Sequence, residues 1–238
     1  MKPCCIVKDL TKSYQGRTVV DHLSFLVYKQ EVFGLLGHNG AGKSTTIEMM
    51  LGLKKADCGE VEILGKVPAR DRKELFEHIG VQLQASNYQN NIRVDEICQE
   101  LSLLYQNPRD YHVLLKKFGL ESLKHARVDK LSGGEKQKLS VVLALLPDPE
   151  LIFLDELTTG LDTAARREVW KIIASLKEEG TTIFLTTHYM EEAQHLCDRI
   201  CLLRNGRKLI EGTLDDVIAR SPYTTLEEAY LWFMEEEQ

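Results

Sequence analysis

No stretch of this chain is long and apolar enough to read as a membrane span. The apolar run Leu139–Leu146 is interrupted at Ser140 and stopped by Pro147, far short of the roughly 20 residues a helix needs to cross a bilayer. The start, Met1-Lys2-Pro3-Cys4-Cys5-Ile6, holds no apolar signal segment. There is no long block of lysine and arginine, and the formal net charge is −6. Nucleic acids and anionic membranes both demand a basic footprint, so no nucleic-acid partner is expected. No Cys-x-x-Cys pair occurs among Cys4, Cys5, Cys58, Cys98, Cys197 and Cys201. Cys4 and Cys5 are adjacent and poorly placed to bridge each other. Cys197 and Cys201 could share a helix face, but no second ligand pair completes a metal site. Reduced thiols in a cytosolic protein are the expectation. Nor are there internal repeats or low-complexity linkers. His22, His78, His112, His125 and His195 show no ligand spacing.

What is present is an ordinary globular composition, 43% hydrophobic and 28% charged over 238 residues. That length suits one domain with a smaller embedded subdomain. The first sixty or so residues read as strands and turns. β-favouring residues stand at Ile6-Val7, Val19-Val20 and Leu23–Tyr28, with turn signals at Gln15-Gly16 and Cys58-Gly59. Val32–Leu36 is a short apolar strand, and a helical pattern begins after Gly42. From about Asp95 to Leu146 the pattern is helical, at Asp95–Tyr105, Tyr111–Phe118 and Glu135–Leu145, without a clear strand. Alternation then resumes. Leu151–Leu154 is a strand, and Thr163–Glu179 is an amphipathic helix with Ala165, Val169, Ile172, Ile173 and Leu176 on one face. Thr182–Leu185 is a strand, Met190–Cys197 a helix and Ile200–Leu203 a last strand. Strands alternating with helices predict an α/β fold with a parallel sheet covered on both faces. The all-helical block reads as an insertion into it.

Gly37-His38-Asn39-Gly40-Ala41-Gly42-Lys43-Ser44 fits G-x-x-x-x-G-K-[ST], after an apolar strand and before a helix. Glycines let backbone N–H groups converge on phosphate oxygens, and the helix start adds partial positive charge. Lys43 can reach β- and γ-phosphates, the Ser44 hydroxyl can bind Mg²⁺, and Thr45 follows in the same helix start. This motif predicts a nucleoside triphosphate. Leu151–Leu154 leads into Asp155 and Glu156, two carboxylates at the carboxyl end of a strand, where open α/β sheets bind ligands. Asp155 is suited to the metal, and Glu156 to orienting and deprotonating an attacking water. Acidic turns are common in isolation; beside the phosphate loop the pair acquires meaning.

Between these two motifs lies Leu131-Ser132-Gly133-Gly134-Glu135-Lys136-Gln137. Ser132 is a good N-cap ahead of a helical run. In this order the segment resembles the signature of ABC ATPases, and the resemblance extends over nearly all of residues 4–215. It implies a P-loop NTPase core with a mostly parallel sheet, an N-terminal antiparallel β subdomain and an inserted α-helical subdomain. It places the core and β subdomain at about 1–94 and 147–215, the helical subdomain at about 95–146 and a helical tail at 216–238. Tyr14 matches the aromatic that stacks on adenine. Gln84 matches the glutamine loop that serves metal and reaction centre, Asp162 the D-loop and His188 the switch histidine.

The family pairs such domains head to tail. The resemblance implies that ATP is sandwiched between one chain's phosphate loop and the partner's Ser132-Gly133-Gly134, and that the domains work beneath a polytopic membrane permease on the cytoplasmic face. Motif details around His38-Asn39-Gly40, Leu161–Arg167 and Thr187–Ala193 resemble drug, antibiotic and polysaccharide exporters. Two departures stand out: Leu157 and Thr163 occupy positions where the family often has proline. The competing class is a soluble non-transport ABC ATPase. However, the second ATPase domain or long coiled coil typical of such proteins is not seen here. A nucleotide-binding regulator would need a damaged Glu156 or signature, and both are intact.

Overall fold

The computed structural model describes residues 2–83 and 88–235. The chain divides into two compact units, Met1–Leu75 with Thr182–Gln238, and Phe76–Thr181.

The first unit begins with a long hairpin, β1 (Pro3–Tyr14) and β2 (Arg17–Tyr28). Gln15 and Gly16 join them with φ of 48° and 81°, the two positive angles that a tight hairpin turn matching strand twist requires. β4 (Cys58–Ile63) pairs with the other edge of β1, giving an antiparallel sheet of order β2-β1-β4. Here the sequence reading needs correction. Cys58 and Gly59 are not a turn but the start of β4. Gly59 is needed there because a Cβ would lie 2.5 Å from the Asp9 carbonyl oxygen. Glycine signals close approach of two backbones as readily as it signals a turn.

The rest of this unit is built on β3 (Val32–Leu36), buried at every residue. It runs parallel to β7 (Thr182–Thr187) on one side and β8 (Arg199–Arg204) on the other. The continuous apolar run is what a parallel strand covered on both faces demands. Phe25 stacks on Phe33 and Phe184 at centroid distances of 5.3 and 5.8 Å, binding the hairpin to the parallel strands. β8 is not the last strand. It turns at Asn205-Gly206 and returns as β9 (Arg207–Thr213), antiparallel to β8. Asn-Gly is a strong hairpin-turn signal. Helices α1 (Lys43–Met50), α2 (Pro68–Leu75), α7 (Met190–Leu196), α8 (Leu214–Ala219) and α9 (Leu226–Glu235) complete the unit.

The second unit holds a parallel strand pair, β5 (Ile79–Gln82) and β6 (Leu151–Asp155). Its helices are α3 (Val94–Ser102), α4 (Tyr111–Lys117), α5 (Gly133–Ala144) and α6 (Thr163–Glu178). β5 is too short to stand out in the sequence. α6 buries Val169, Ile173 and Leu176, as its periodicity predicts, and adds Trp170, while Ala165 and Ile172 are only half-buried. α5 is different. From Leu139 to Ala144 every residue is buried, so the apolar run is a core helix rather than a stripe, and Pro147 follows its end.

All six cysteines are free thiols, five of them buried. Burial pushes the Cys4 thiol up to about 11 and Cys98 up to about 12, so neither is a ready nucleophile. Among the described residues no helix is long and apolar enough to cross a membrane.

Candidate nucleotide site

The phosphate loop connects β3 to α1, and its conformation follows from where its carbonyls go. Lys43 is 4% exposed. Its Nζ donates to the carbonyl oxygens of Gly37 at 2.8 Å and His38 at 3.1 Å. Ala41 N–H also donates to His38 O, and Gly206 N–H donates to Ala41 O at 2.9 Å. The Thr46 hydroxyl and N–H both donate to Gly42 O, each at 2.9 Å. Thus the carbonyls of Gly37, His38, Ala41 and Gly42 are all engaged by donors of the protein. A loop meant for an anion must dispose of its carbonyl dipoles in this way, because they repel the oxygens that its N–H groups attract.

Gly42 caps α1 with φ 106°, and no side chain accepts a hydrogen bond at this cap. A Cβ on Gly42 would lie 2.6 Å from the Val19 carbonyl oxygen, so both conformation and space exclude any other residue. Ser44 and Thr45 stand in the first turn of α1 and are half-buried. The loop's exposed part is His38-Asn39-Gly40.

Gly37 N–H donates to Thr187 O at 3.4 Å. This bond sets the end of β7 beside the start of the phosphate loop, and His188 is the next residue. Its ring lies against Tyr189, centroids 4.1 Å apart. Tyr14 stands at the tip of the β1–β2 hairpin, 41% exposed, with Lys12 Nζ 5.4 Å and Lys54 Nζ 5.9 Å from its ring centroid. An exposed aromatic ringed by cations offers a stacking face.

In the second unit β6 ends at Asp155, 2% exposed, and Glu156, 8% exposed. Glu156 adopts φ 49°, a strained setting for a residue with a side chain. The Asp155 N–H donates to Gln82 Oε1 at 3.1 Å, and Gln82 Nε2 donates to Leu83 O at 2.9 Å. Gln82 was passed over in the sequence reading. The only signal was one polar residue closing an apolar strand. Asp162 caps α6 by accepting from Ala165 N–H at 2.9 Å.

Ser132 caps α5 within a capping box. Its Oγ accepts from Glu135 N–H at 3.3 Å while Glu135 Oε2 accepts from Ser132 N–H at 2.7 Å. That backbone hydrogen bond holds the Glu135 carboxyl below its ordinary range. Gly133 and Gly134 leave the helix start without side chains. Gln84 lies outside the described residues. Among the described residues no cluster of three His, Cys, Asp or Glu side chains could hold a metal ion by itself. A cation here would draw on hydroxyl and phosphate oxygens as well.

A family model for ABC transporters matches residues 20–159, more than half of the chain. The Nod factor export ATP-binding protein I of Rhizobium etli is 45% identical over 216 residues, covering 88% of this chain and 68% of that protein. A probable multidrug ABC transporter ATP-binding protein of Escherichia coli K12 is 37% identical over 235 residues, 94% of this chain but only 40% of that protein. Among solved structures, the ATP-binding subunit of an ABC transporter superposes with a TM-score of 0.88 at 29% identity, covering 98% of this chain and all of that one. A lone phosphate loop serves many NTPase families. Here it is followed in order by a capped Ser-Gly-Gly helix, an Asp-Glu strand end and a histidine held beside the loop. The chain therefore belongs to the ABC transporter family as an ATP-binding domain, an ATPase of the kind coupled to transport.

Proposed function

We propose that this chain is the motor of an exporter-type ABC transporter, working as a head-to-tail pair with two ATP molecules at its interface. The observation that carries this reading is the phosphate loop, where the carbonyls of Gly37, His38, Ala41 and Gly42 accept hydrogen bonds from the protein, two of them from Lys43 Nζ. The loop from Gly37 to Thr45 would cradle the phosphates, with N–H groups at the start of α1 among the donors, and Tyr14 would stack on the adenine. The exporter assignment follows the relatives, which are named for Nod factor and multidrug export.

Ser44 and Asp155, with Gln84, would hold Mg²⁺. Hydroxyl and carboxylate oxygens suit that hard cation. The ion supplies positive charge to the β- and γ-phosphate oxygens when bound. Glu156 would orient a water and take its proton, and His188 would sense the γ-phosphate. The partner's Ser132, Gly133 and Gly134 would offer the start of α5 to the same phosphate, with Asp162 lining the interface. In this scheme the core and β subdomain occupy about 1–94 and 147–215, the helical subdomain about 95–146, and the tail 216–238.

A permease would dock on the face beside Gln84, about Gln84 to Glu100, placing the chain on the cytoplasmic side of a membrane. A cavity of about 310 Å³ in the second unit supports this; its lining includes Gln82, Tyr88, Asn90, Asp129 and Gln137. Cysteine cross-linking from Asn91 to the cytoplasmic loops of the co-purified membrane subunit tests the docking face. Cross-links confined to the opposite edge of the domain would refute it.

The decisive experiment separates binding from chemistry. Glu156→Gln keeps hydrogen-bonding capacity but removes the base, so hydrolysis should fall by roughly two to four orders of magnitude while ATP still binds. The closed pair should then accumulate, because ATP that binds only the dimer pulls the equilibrium toward it. Light scattering after size exclusion should show an ATP-dependent dimer in Glu156→Gln that Ser132→Arg abolishes. Wild-type turnover in Glu156→Gln would remove Glu156 from its role. Arrested turnover without dimerisation would overturn the sandwich for the isolated chain.

A further inference from the structure

We propose that the Asn205-Gly206 turn is a positioning element of the nucleotide site, a backbone brace that fixes one peptide plane of the phosphate loop and is anchored from outside by Asp21. Three observations meet here, all within the first unit. Gly206 N–H donates to the Ala41 carbonyl at 2.9 Å, and Asp21 N–H donates to the Gly206 carbonyl at 2.9 Å. Arg207 Nε donates to Asp21 Oδ2 at 2.6 Å, and His22 Nδ1 lies 2.6 Å from Asp21 Oδ1. Finally, a Cβ on Gly206 would come within 2.3 Å of the Val19 carbonyl oxygen, the same oxygen that lies 2.6 Å from a Cβ on Gly42.

The Val19 carbonyl is therefore wedged between two glycines, one in the phosphate loop and one in the hairpin turn. No side chain fits on either side of it. Gly206 is also at φ 81°, so its conformation excludes other residues as firmly as its surroundings do. The consequence for the loop is geometric. In a trans peptide the carbonyl and the following N–H point in opposite directions. Holding the Ala41 carbonyl toward Gly206 aims the Gly42 N–H away from the turn, so one donor of the cradle is set before any phosphate arrives. Preset donors of this kind need no reorganisation on binding.

The inference rests on the reading that the 37–44 loop holds the nucleotide phosphates, and the test keeps the two apart. ADP affinity is measured by calorimetry, and ATP turnover gives KM and kcat, at a temperature where circular dichroism shows each variant folded. Gly206→Ala should weaken ADP binding and raise KM for ATP about tenfold, the scale of one lost hydrogen bond, with a much smaller change in kcat. Asp21→Ala, which loosens the anchor but leaves the turn intact, should weaken ADP about twofold to threefold, since the Asp21–Arg207 pair is partly exposed. Gly65→Ala is the control. Gly65 has φ 78° and nothing within 4 Å of its would-be Cβ, so that variant bears comparable backbone strain without touching the Gly206 brace and should lower only the melting temperature. A folded Gly206→Ala that binds ADP like wild type overturns the brace. If Gly206→Ala does not fold, wild-type ADP binding by both Asp21→Ala and Arg207→Met overturns it instead. Undiminished ADP binding by Lys43→Ala would instead sink the underlying reading of the loop.

Discussion

Two helix starts in this molecule carry the motifs that matter most, and they are built in opposite ways. α1 begins at Gly42 with no side-chain cap, its backbone forced by crowding against Val19 and its loop carbonyls engaged elsewhere. α5 begins at Ser132 inside a capping box that already uses the Glu135 and Ser132 N–H groups. The first helix start is shaped by its tertiary neighbours and not by a side-chain cap of its own. The second is shaped by its own sequence and would form locally whatever its neighbours do. A helix that satisfies itself is a stable, prefolded surface to offer a partner. One that does not is a binding site in its own right.

Lys43→Ala tests the contrast with the largest expected effect. Removing the ammonium from the inner curve of the loop should lower ATP turnover by at least about a hundredfold, measured as phosphate release. Wild-type turnover would mean that α1 is not the catalytic helix start. Gly42→Ala comes next. The added methyl meets the Val19 carbonyl in a left-handed backbone, which should cost about 1–3 kcal/mol of stability and remove most nucleotide binding. A stable Gly42→Ala that binds ATP normally would break the contrast, since crowding would then not shape the loop.

Ser132→Ala should act on stability alone in the isolated chain. A lost N-cap costs about 1 kcal/mol, a fall of about 2–4 °C in melting temperature for a domain of this size, with unchanged ADP affinity. Loss of ADP binding in Ser132→Ala would contradict the division of roles.

The smallest effect is one of pH. Glu135 has a depressed pKa because it accepts the Ser132 N–H. Its stabilisation of the α5 start is therefore complete above the ordinary carboxylate value and lost as pH falls through the depressed one. Its partial exposure keeps the effect small. Relative to the intrinsic exchange rate, protection of the Ser132 and Glu135 amides should fall over that acid range in wild type. In Glu135→Gln, which keeps an uncharged acceptor, the protection should show a weaker pH dependence; identical profiles would refute the assignment.

Much of this architecture was legible in the sequence wherever local physics decides it. The apolar run Val32–Leu36, the stripe on α6 and the Ser132 cap each specify their element without reference to the rest of the chain. Legibility failed where distant backbones touch. Gly59 reads as a turn because the neighbour that demands glycine, Asp9, lies far away in sequence. β9 escaped because its residues are mostly polar and half-exposed; only Asn205-Gly206 announces it. The hairpin signal at Gly206 says nothing of its contact with the phosphate loop, and Asp21 carries no motif, since what they do there is supply or receive main-chain hydrogen bonds. The fold and the ABC assignment stand with the relatives. The roles proposed for Glu156, His188 and Tyr14 rest on order along the chain, and Glu156→Gln tests the first of them.

Gln82 has a further meaning when seen as a mechanical part. Its side-chain amide is held at both ends, the oxygen by the Asp155 N–H and the nitrogen by the Leu83 carbonyl. Reversed, it would set donor against donor and acceptor against acceptor, so its orientation is self-enforcing. Glutamate would lose the donor, and asparagine would fall short of the span. The link thus works as a strut of fixed polarity and length between the acidic strand end and the segment leading toward Gln84. A displacement of that segment would reach Asp155 as a pull along the strut, before any larger rearrangement of the unit.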